Sequence, residues 1–290
     1  MKLQSIMKKS FIVNFFLIIV KILFGIIFGS IALIADGVHS VSDLLSDIFV
    51  ILGINHSLKP ADEDHPFGHG KFEYVLSLFL GISIFIIAFN LGKNIIDNYS
   101  KVADIPSTLS LVVVLMVVFI KLILARYLIN KGEELDSEII SASGKESLTD
   151  VFSSAVVFFG ILFVIIGNRF DLPFLLKGDK VASIIISLLI IKIAVEIIYQ
   201  AIASLQGKAV KTEISSKYKK IIKKVDGVIE VDHLDMVTYG PFYQALVDIR
   251  VDGLKTVVEG HDIAKQVSDQ LYADEKICHV VVHVNPEVKK

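Results

Sequence analysis

The chain has 290 residues, 53% of them hydrophobic, and a formal net charge of −2, with a mean hydropathy of +0.67. A soluble domain of this size covers its surface with polar groups and rarely reaches that value, so the composition points to the membrane. The near-neutral charge without a basic tract excludes a general attraction to nucleic acid. The single cysteine, Cys278, excludes an intrachain disulfide and a cysteine zinc cage.

The first 28 residues start basic (Lys2, Lys8, Lys9) and continue into a long apolar run with no small-residue cleavage site, which reads as a transmembrane helix rather than a signal peptide. Crossing the hydrocarbon takes about 20 apolar residues. Six segments qualify: Phe11–Phe28, Ile31–Ile54, Tyr74–Ile96, Leu109–Ile129, Leu148–Ile166 and Val181–Leu205. Gly25 and Gly29 form a small-xxx-small pattern in the first, suited to close approach of another helix. Connectors are expected at Gly29–Ser30, Asn55–Phe72, Asp97–Ser107, Asn130–Lys145 and Gly167–Lys180. Lysine and arginine favour the side holding the N-terminus, the second and fourth connectors and the stretch after Gly207, which predicts both termini in the cytoplasm.

After Gly207 the character changes. Lys211–Val225 is a Lys-rich amphipathic stretch, Val228–Thr238 and Phe242–Val251 read as strands about a Gly240–Pro241 turn, Val257–Tyr272 as a helix, and Val280–Val284 as a short strand. The chain is therefore read as an all-α six-helix transmembrane domain over residues 1–207 and a small α+β domain over 208–290.

A carboxylate in a spanning segment costs roughly 2.5–3.5 kcal/mol on the insertion scale and needs a reason. The second segment holds Asp36, His39, Asp43 and Asp47; the fifth begins with Glu146 and Asp150. His39 with Asp43, and Glu146 with Asp150, are spaced four apart and share a helix face. If the two helices face each other, one imidazole and three carboxylates form a four-ligand cage for a divalent transition ion. Against this stand a packing role for His39 and ion pairs of Asp36 or Asp47 with Lys21, Lys121 or Lys192. In the second connector Asp62, His65 and His69 can converge on one ion, and a solvated polar loop fits the same spacing equally well. In the C-terminal domain His233, Asp248, His261, His279 and His283 read equally as ordinary surface or core residues. No His-Glu-x-x-His motif is present, which weakens a zinc-hydrolase reading.

Ala35-Asp-Gly-Val-His39-Ser-Val-Ser-Asp43, the run Lys59-Pro-Ala-Asp62-Glu-Asp-His65-Pro-Phe-Gly-His69-Gly-Lys71, Glu146-Ser-Leu-Thr-Asp150 and His283-Val-Asn-Pro286 together resemble the cation diffusion facilitator family of metal transporters, in the right order over nearly the whole chain. The resemblance implies a ferredoxin-like cytoplasmic domain, a homodimer in the plasma membrane, and no enzymatic activity or cofactor. It also implies export of a divalent cation, zinc first and manganese or iron next, in exchange for protons. On that pattern the transport site is His39, Asp43, Glu146 and Asp150, the loop site is Asp62, His65 and His69, and the cytoplasmic regulatory ligands are His233, Asp248, His261 and His283. Three positions depart from it. Glu146 replaces the usual His or Asp, which argues against strict zinc selectivity. Asn285 stands where an aspartate is common, and Leu205-Gln-Gly207 lacks the aspartate that would pair with Lys71 across a dimer. The rival readings are a transport-inactive membrane sensor or scaffold of the same fold and an intramembrane hydrolase; the latter needs an open coordination position.

Overall fold

The computed structural model describes residues 2–59, 61–100, 105–134 and 138–287. Six long helices lie among them: α1 (Lys2–Phe28), α2 (Ile31–Ser57), α3 (Phe72–Asp97), α4 (Leu109–Glu134), α5 (Glu138–Arg169) and α6 (Gly178–Leu205). Five contain stretches long and apolar enough to cross a membrane: Lys8–Phe28, Phe72–Asp97, Leu109–Lys131, Ser143–Arg169 and Leu175–Leu205. The second expected segment is also a helix, the 27-residue α2, but it is not one of those five. The expected fourth connector, Asn130–Lys145, is a correction. Among the described residues α4 runs to Glu134 and α5 begins at Glu138, so polar helix replaces most of the loop. Ile140 anchors that extra turn, packed with Ile6, Leu124 and Leu128.

The chain divides into two compact units, Met1–Ile48 with Leu80–Glu196, and Phe49–Phe79 with Ile197–Lys290. In the first, glycine sets the distance between α1 and α2. A Cβ on Gly25 would meet Ile34 Cγ1 at 2.7 Å, and one on Gly37 would meet Ile22 Cγ1 at 2.6 Å. The small residue of α1 thus admits its own neighbour, α2. The turn between them ends in a cap. Ser30 Oγ accepts from Leu33 N–H at 3.1 Å, and Asp179 at the start of α6 accepts from the N–H of Ile31 (2.8 Å) and Ala32 (3.3 Å). A carboxylate there satisfies orphan donors and suits the positive end of the helix. Outward faces carry Phe15, Phe16, Phe119 and Leu188, all exposed, as lipid contact requires.

In the second unit the C-terminal segment folds as α7 (Thr212–Ile222), β1 (Glu230–Tyr239), β2 (Phe242–Asp252), α8 (Val257–Tyr272) and β3 (Ile277–Glu287), the α-β-β-α-β order expected from the sequence. The sheet order is β1-β2-β3, with β1 antiparallel and β3 parallel to β2. Period-2 alternation puts Ala245, Val247, Ile249 and Val251 into a core with Tyr218 and Ile222 of α7 and Ile263, Val267 and Leu271 of α8. The opposite face of the sheet is open, carrying the exposed Leu246 and Val281.

Candidate metal centre

In α2 the i,i+4 spacing puts His39 and Asp43 on one face, and α5 presents Asp150 to the same point. One nitrogen of His39 and one oxygen each of Asp43 and Asp150 all lie within 4.8 Å of one another. His39 Nδ1 is 3.9 Å from Asp43 Oδ2, and His39 Nε2 is 4.0 Å from Asp150 Oδ1. Donors bound at about 2.0–2.2 Å to one ion sit no more than about 4.4 Å apart, so a single nitrogen of His39 and the two carboxylates, within 4.8 Å of one another, must draw together by a few tenths of an ångström to ligate one ion. His39 and Asp150 are buried, and His39 Nδ1 has no hydrogen-bond partner among the described residues. Buried polar atoms are normally partnered, so this nitrogen is poised for a ligand. Glu146 lies one turn before Asp150 on α5; it is exposed and outside this group of donors.

Two lysines meet two of the buried carboxylates of α2 and α5. Lys21 of α1, with no exposed side-chain surface, lies 2.8 Å from Asp36 Oδ2 and donates to Ser40 Oγ at 3.0 Å. Asp36 also accepts from Ser153 and Ser154 of α5, each at 2.8 Å. Asp36 is thus a structural tie between three helices, one of the pairings weighed from the sequence. Lys121 of α4 donates to Asp150 Oδ2 at 2.5 Å. Sequence reasoning raised these lysines as pairing candidates without fixing their partners. The signal was a cation deep in an apolar run, which needs a counter-charge at the same depth. Lys192 lies 3.8 Å from Glu196 on the same helix face, both exposed. The side chain of Asp47 lies outside the described residues.

The loop before α3 gathers the second triplet. Asp62 Oδ1 accepts from the N–H of His65 at 2.7 Å and lies 3.1 Å from His65 Nδ1; Asp62 Oδ2 lies 3.3 Å from His69 Nε2. The two imidazoles lie tilted at 38° with centroids 4.3 Å apart, and donors from all three residues fall within 4.8 Å of one another. Partial desolvation pushes the Asp62 carboxyl up, but the His65 N–H and ring and the His69 ring outweigh it and hold it below the usual carboxylate range. The loop is fastened to the β1–β2 hairpin. Tyr239 Oη donates to Gly68 O at 2.9 Å, Gly240 N–H donates to Tyr74 Oη at 2.7 Å, and Phe67 meets His279 edge-on at 5.0 Å. Gly68 has φ +83°, where glycine is at home. Gly70 serves a close approach instead, since a Cβ there would lie 2.4 Å from Tyr239 Cδ1.

In the C-terminal domain, His233, Asp248 and His283 stand at one register position across all three strands. They form a row on the open face. They are not drawn into a tight group like the two above. His261, exposed near the start of α8, belongs to the helical layer on the other side of the sheet. Asn285 pairs in register with Arg250 and donates to Asp232 Oδ2 at 3.3 Å, and Arg250 bonds the other oxygen of Asp232. Lys71 Nζ lies 3.5 Å from the carbonyl of Leu205 and 5.9 Å from the Tyr239 ring centroid. The cation thus sits at the C-terminal end of α6, the end where positive charge is favoured.

The description "Cation efflux transmembrane domain" fits residues 7–206, and "Cation efflux protein, cytoplasmic domain" fits residues 210–287. The chain is 34% identical over 278 residues to the manganese efflux system protein MneP of Bacillus subtilis, an alignment covering 95% of this chain and 93% of that one. It is 28% identical to MneS, a second manganese efflux system protein of the same organism, over 93% of this chain and 91% of the relative. It is also 28% identical to magnetosome protein MamB of Magnetospirillum gryphiswaldense, over 87% and 82%. With both domain models matched in order and two buried or loop-held triplets of imidazole and carboxylate donors, the chain belongs to the cation efflux, or cation diffusion facilitator, family.

Proposed function

We propose that this protein is a transporter, not an enzyme, and that it exports Mn²⁺ from the cytoplasm in exchange for protons through the centre formed by His39, Asp43 and Asp150. The observation that carries this reading is the meeting of those three donors between α2 and α5. Glu146 is the fourth ligand, swinging in from the adjacent turn of α5 when the ion binds. Zinc, the first expectation on family resemblance, gives way to manganese for two reasons. Three of the four donors are carboxylates, which suit manganese better than zinc, and two relatives are named for manganese efflux.

In this reading α2 is a sixth membrane-spanning helix whose polar residues face the bundle, both termini are cytoplasmic, and the membrane is the plasma membrane. Ligands must be deprotonated to bind, so ion entry releases protons. Rocking of the helices turns the loaded centre to the opposite side, where lower pH reprotonates the ligands and frees the ion; an ordinary imidazole titrates near pH 6.5. A homodimer forms through the cytoplasmic domain. The row of His233, Asp248 and His283 takes up a regulatory ion there, and His261, on the other side of the sheet, serves a separate one. The Asp62-His65-His69 loop holds another ion.

The test is Mn²⁺-driven proton flux in proteoliposomes. Asp43→Ala and Asp150→Ala are each expected to abolish it. Wild-type flux from both variants would remove the centre from the transport path and leave the inactive-scaffold reading in its place.

A further inference from the structure

Lys121 stands near the middle of the Leu109–Lys131 span. At 1.5 Å per residue, about 15–18 Å of helix separates it from either end, too far for its side chain to reach water at the interface. Its ammonium must be neutralised in place, and its hydrogen-bond partner is Asp150 Oδ2 at 2.5 Å. The lysine is 3% exposed and the carboxylate 9%, so solvent screens the pair little. The second buried lysine offers a contrast. Lys21 is paired with Asp36, a carboxylate that two α5 serines also hold and that lies outside the donor group. Lys121 is instead paired with a member of that group, and no other carboxylate bonds it among the described residues.

One carboxylate therefore serves two cations. A divalent ion ligated by Asp150 would stand within a few ångströms of the ammonium, in surroundings where like charges repel strongly. We propose that Lys121 is a tethered counter-cation: it holds Asp150 while the centre is empty, is pushed aside when the ion enters, and returns to that carboxylate as the ion leaves. The proposal rests on the metal-centre reading above. Its consequence is that Lys121 weakens ion retention and speeds release. A purely structural lysine would do the opposite, since its loss would disorder the ligands and weaken binding.

The experiment measures equilibrium Mn²⁺ binding to the purified full-length protein in detergent, with the loop and cytoplasmic ion sites removed in every variant, and in the wild-type reference, by His65→Ala, His69→Ala, His233→Ala, His261→Ala and His283→Ala, together with Mn²⁺ flux in proteoliposomes. Lys121→Met and Lys121→Gln are expected to bind Mn²⁺ at least tenfold more tightly than wild type, with a lower half-saturating concentration and a slower maximal rate. Lys121→Arg, which keeps the charge, is expected to stay within threefold of wild type. The glutamine variant keeps a donor for Asp150 and covers the case in which methionine disturbs folding. Unchanged or weaker binding in both neutral variants, while Asp150→Asn with Lys121 intact abolishes binding, overturns the counter-cation and leaves the metal centre standing. Undiminished binding in Asp150→Asn and Asp43→Asn overturns the metal centre itself, and the counter-cation with it.

Discussion

Replacing Asp36 by alanine removes the carboxylate that joins three helices. In the wild type it takes Lys21 at 2.8 Å and both serine hydroxyls at 2.8 Å, with every partner buried. The variant leaves the Lys21 ammonium in a dry interior with Ser40 as its hydrogen-bond partner. Breaking a buried pair from one side costs about 3–5 kcal/mol, mostly as the burden of the stranded charge. Ser153 keeps an acceptor, the carbonyl of Asp150 at 2.9 Å, so the stranded ammonium dominates the loss. In a domain of 150–250 residues each kcal/mol moves the melting temperature by about 2–4 °C, so Asp36→Ala should melt roughly 6–20 °C below wild type. The assay is heating of the detergent-solubilised protein followed by size-exclusion chromatography. All variants are compared at one heating rate, because membrane proteins of this kind unfold irreversibly. Lys21→Met combined with Asp36→Leu removes both charges and should recover most of the loss, since apolar replacement of a whole buried pair is often neutral. Asp36→Ala melting within about 2 °C of wild type, or a double variant no better than the single one, would refute the argument that Lys21 depends on Asp36.

Three further outcomes are expected. Gly240→Ala places a Cβ 2.3 Å from the carbonyl oxygen of Gly70 at a φ of +61°, and Gly70→Ala collides with Tyr239; either should loosen the loop from the hairpin, read as faster protease cleavage between residues 60 and 75 of the full chain. Thr256→Ala removes the capping box at α8, where Thr256 and Glu259 bond each other reciprocally, at a loss of about 0.5–2 kcal/mol. The Thr256 N–H and then its hydroxyl hold the Glu259 carboxyl below its usual range. That contribution is therefore complete above an ordinary glutamate pKa of about 4.3 and disappears as pH falls through the lowered folded value. The Thr256 N–H bond survives in Thr256→Ala, so the part of the stability gap owed to the hydroxyl–Glu259 bond, measured by thermal circular dichroism, should be full at pH 7 and shrink below pH 4; a gap independent of pH would show that this bond contributes nothing. Glu146→His should shift the ratio of Zn²⁺ to Mn²⁺ transport toward zinc, because imidazole suits zinc and carboxylate suits manganese, and an unchanged ratio counts against a ligand role for that position.

Legibility in the sequence followed the locality of the signal. The α8 helix falls on the expected Val257–Tyr272 because its apolar residues recur at helical spacing, and β2 alternates as its buried residues require. The start of α5 was hidden because hydropathy measures lipid contact, not helicity. The polar stretch before Leu148 fails an apolar test, yet it continues a helix that Ile140 and the close contact of Gly144 with Ile129 hold in place. The His39-Asp43 half of the centre was visible as an i,i+4 pair, and Asp150 as its partner on another helix. The placement of Glu146 outside the trio was not visible, because spacing gives the face a side chain shares and not where its end points.

The lysines show the deeper limit, and they also bear on mechanism. In sequence, Lys21 and Lys121 are isolated cations in apolar runs, and nothing local says which acid each will meet. The fold resolves this by depth, since each ammonium must find a carboxylate at its own level in the bundle. The outcome is unequal. Asp36 is locked by a lysine and two serines and stays clear of the donor trio, whereas Asp150 faces both Lys121 and His39. With a neutral imidazole, Asp43 and Asp150 against the Lys121 ammonium leave the empty trio one negative charge, and a divalent ion would turn that into one positive charge. In the proposed reading, a centre that moves between these two small values faces a modest electrostatic barrier in a low-dielectric interior, where the same trio without Lys121 would carry two negative charges and hold its ion tightly. In that reading, a carrier that must release what it binds on every cycle depends on Lys121 as much as on the proposed ligands.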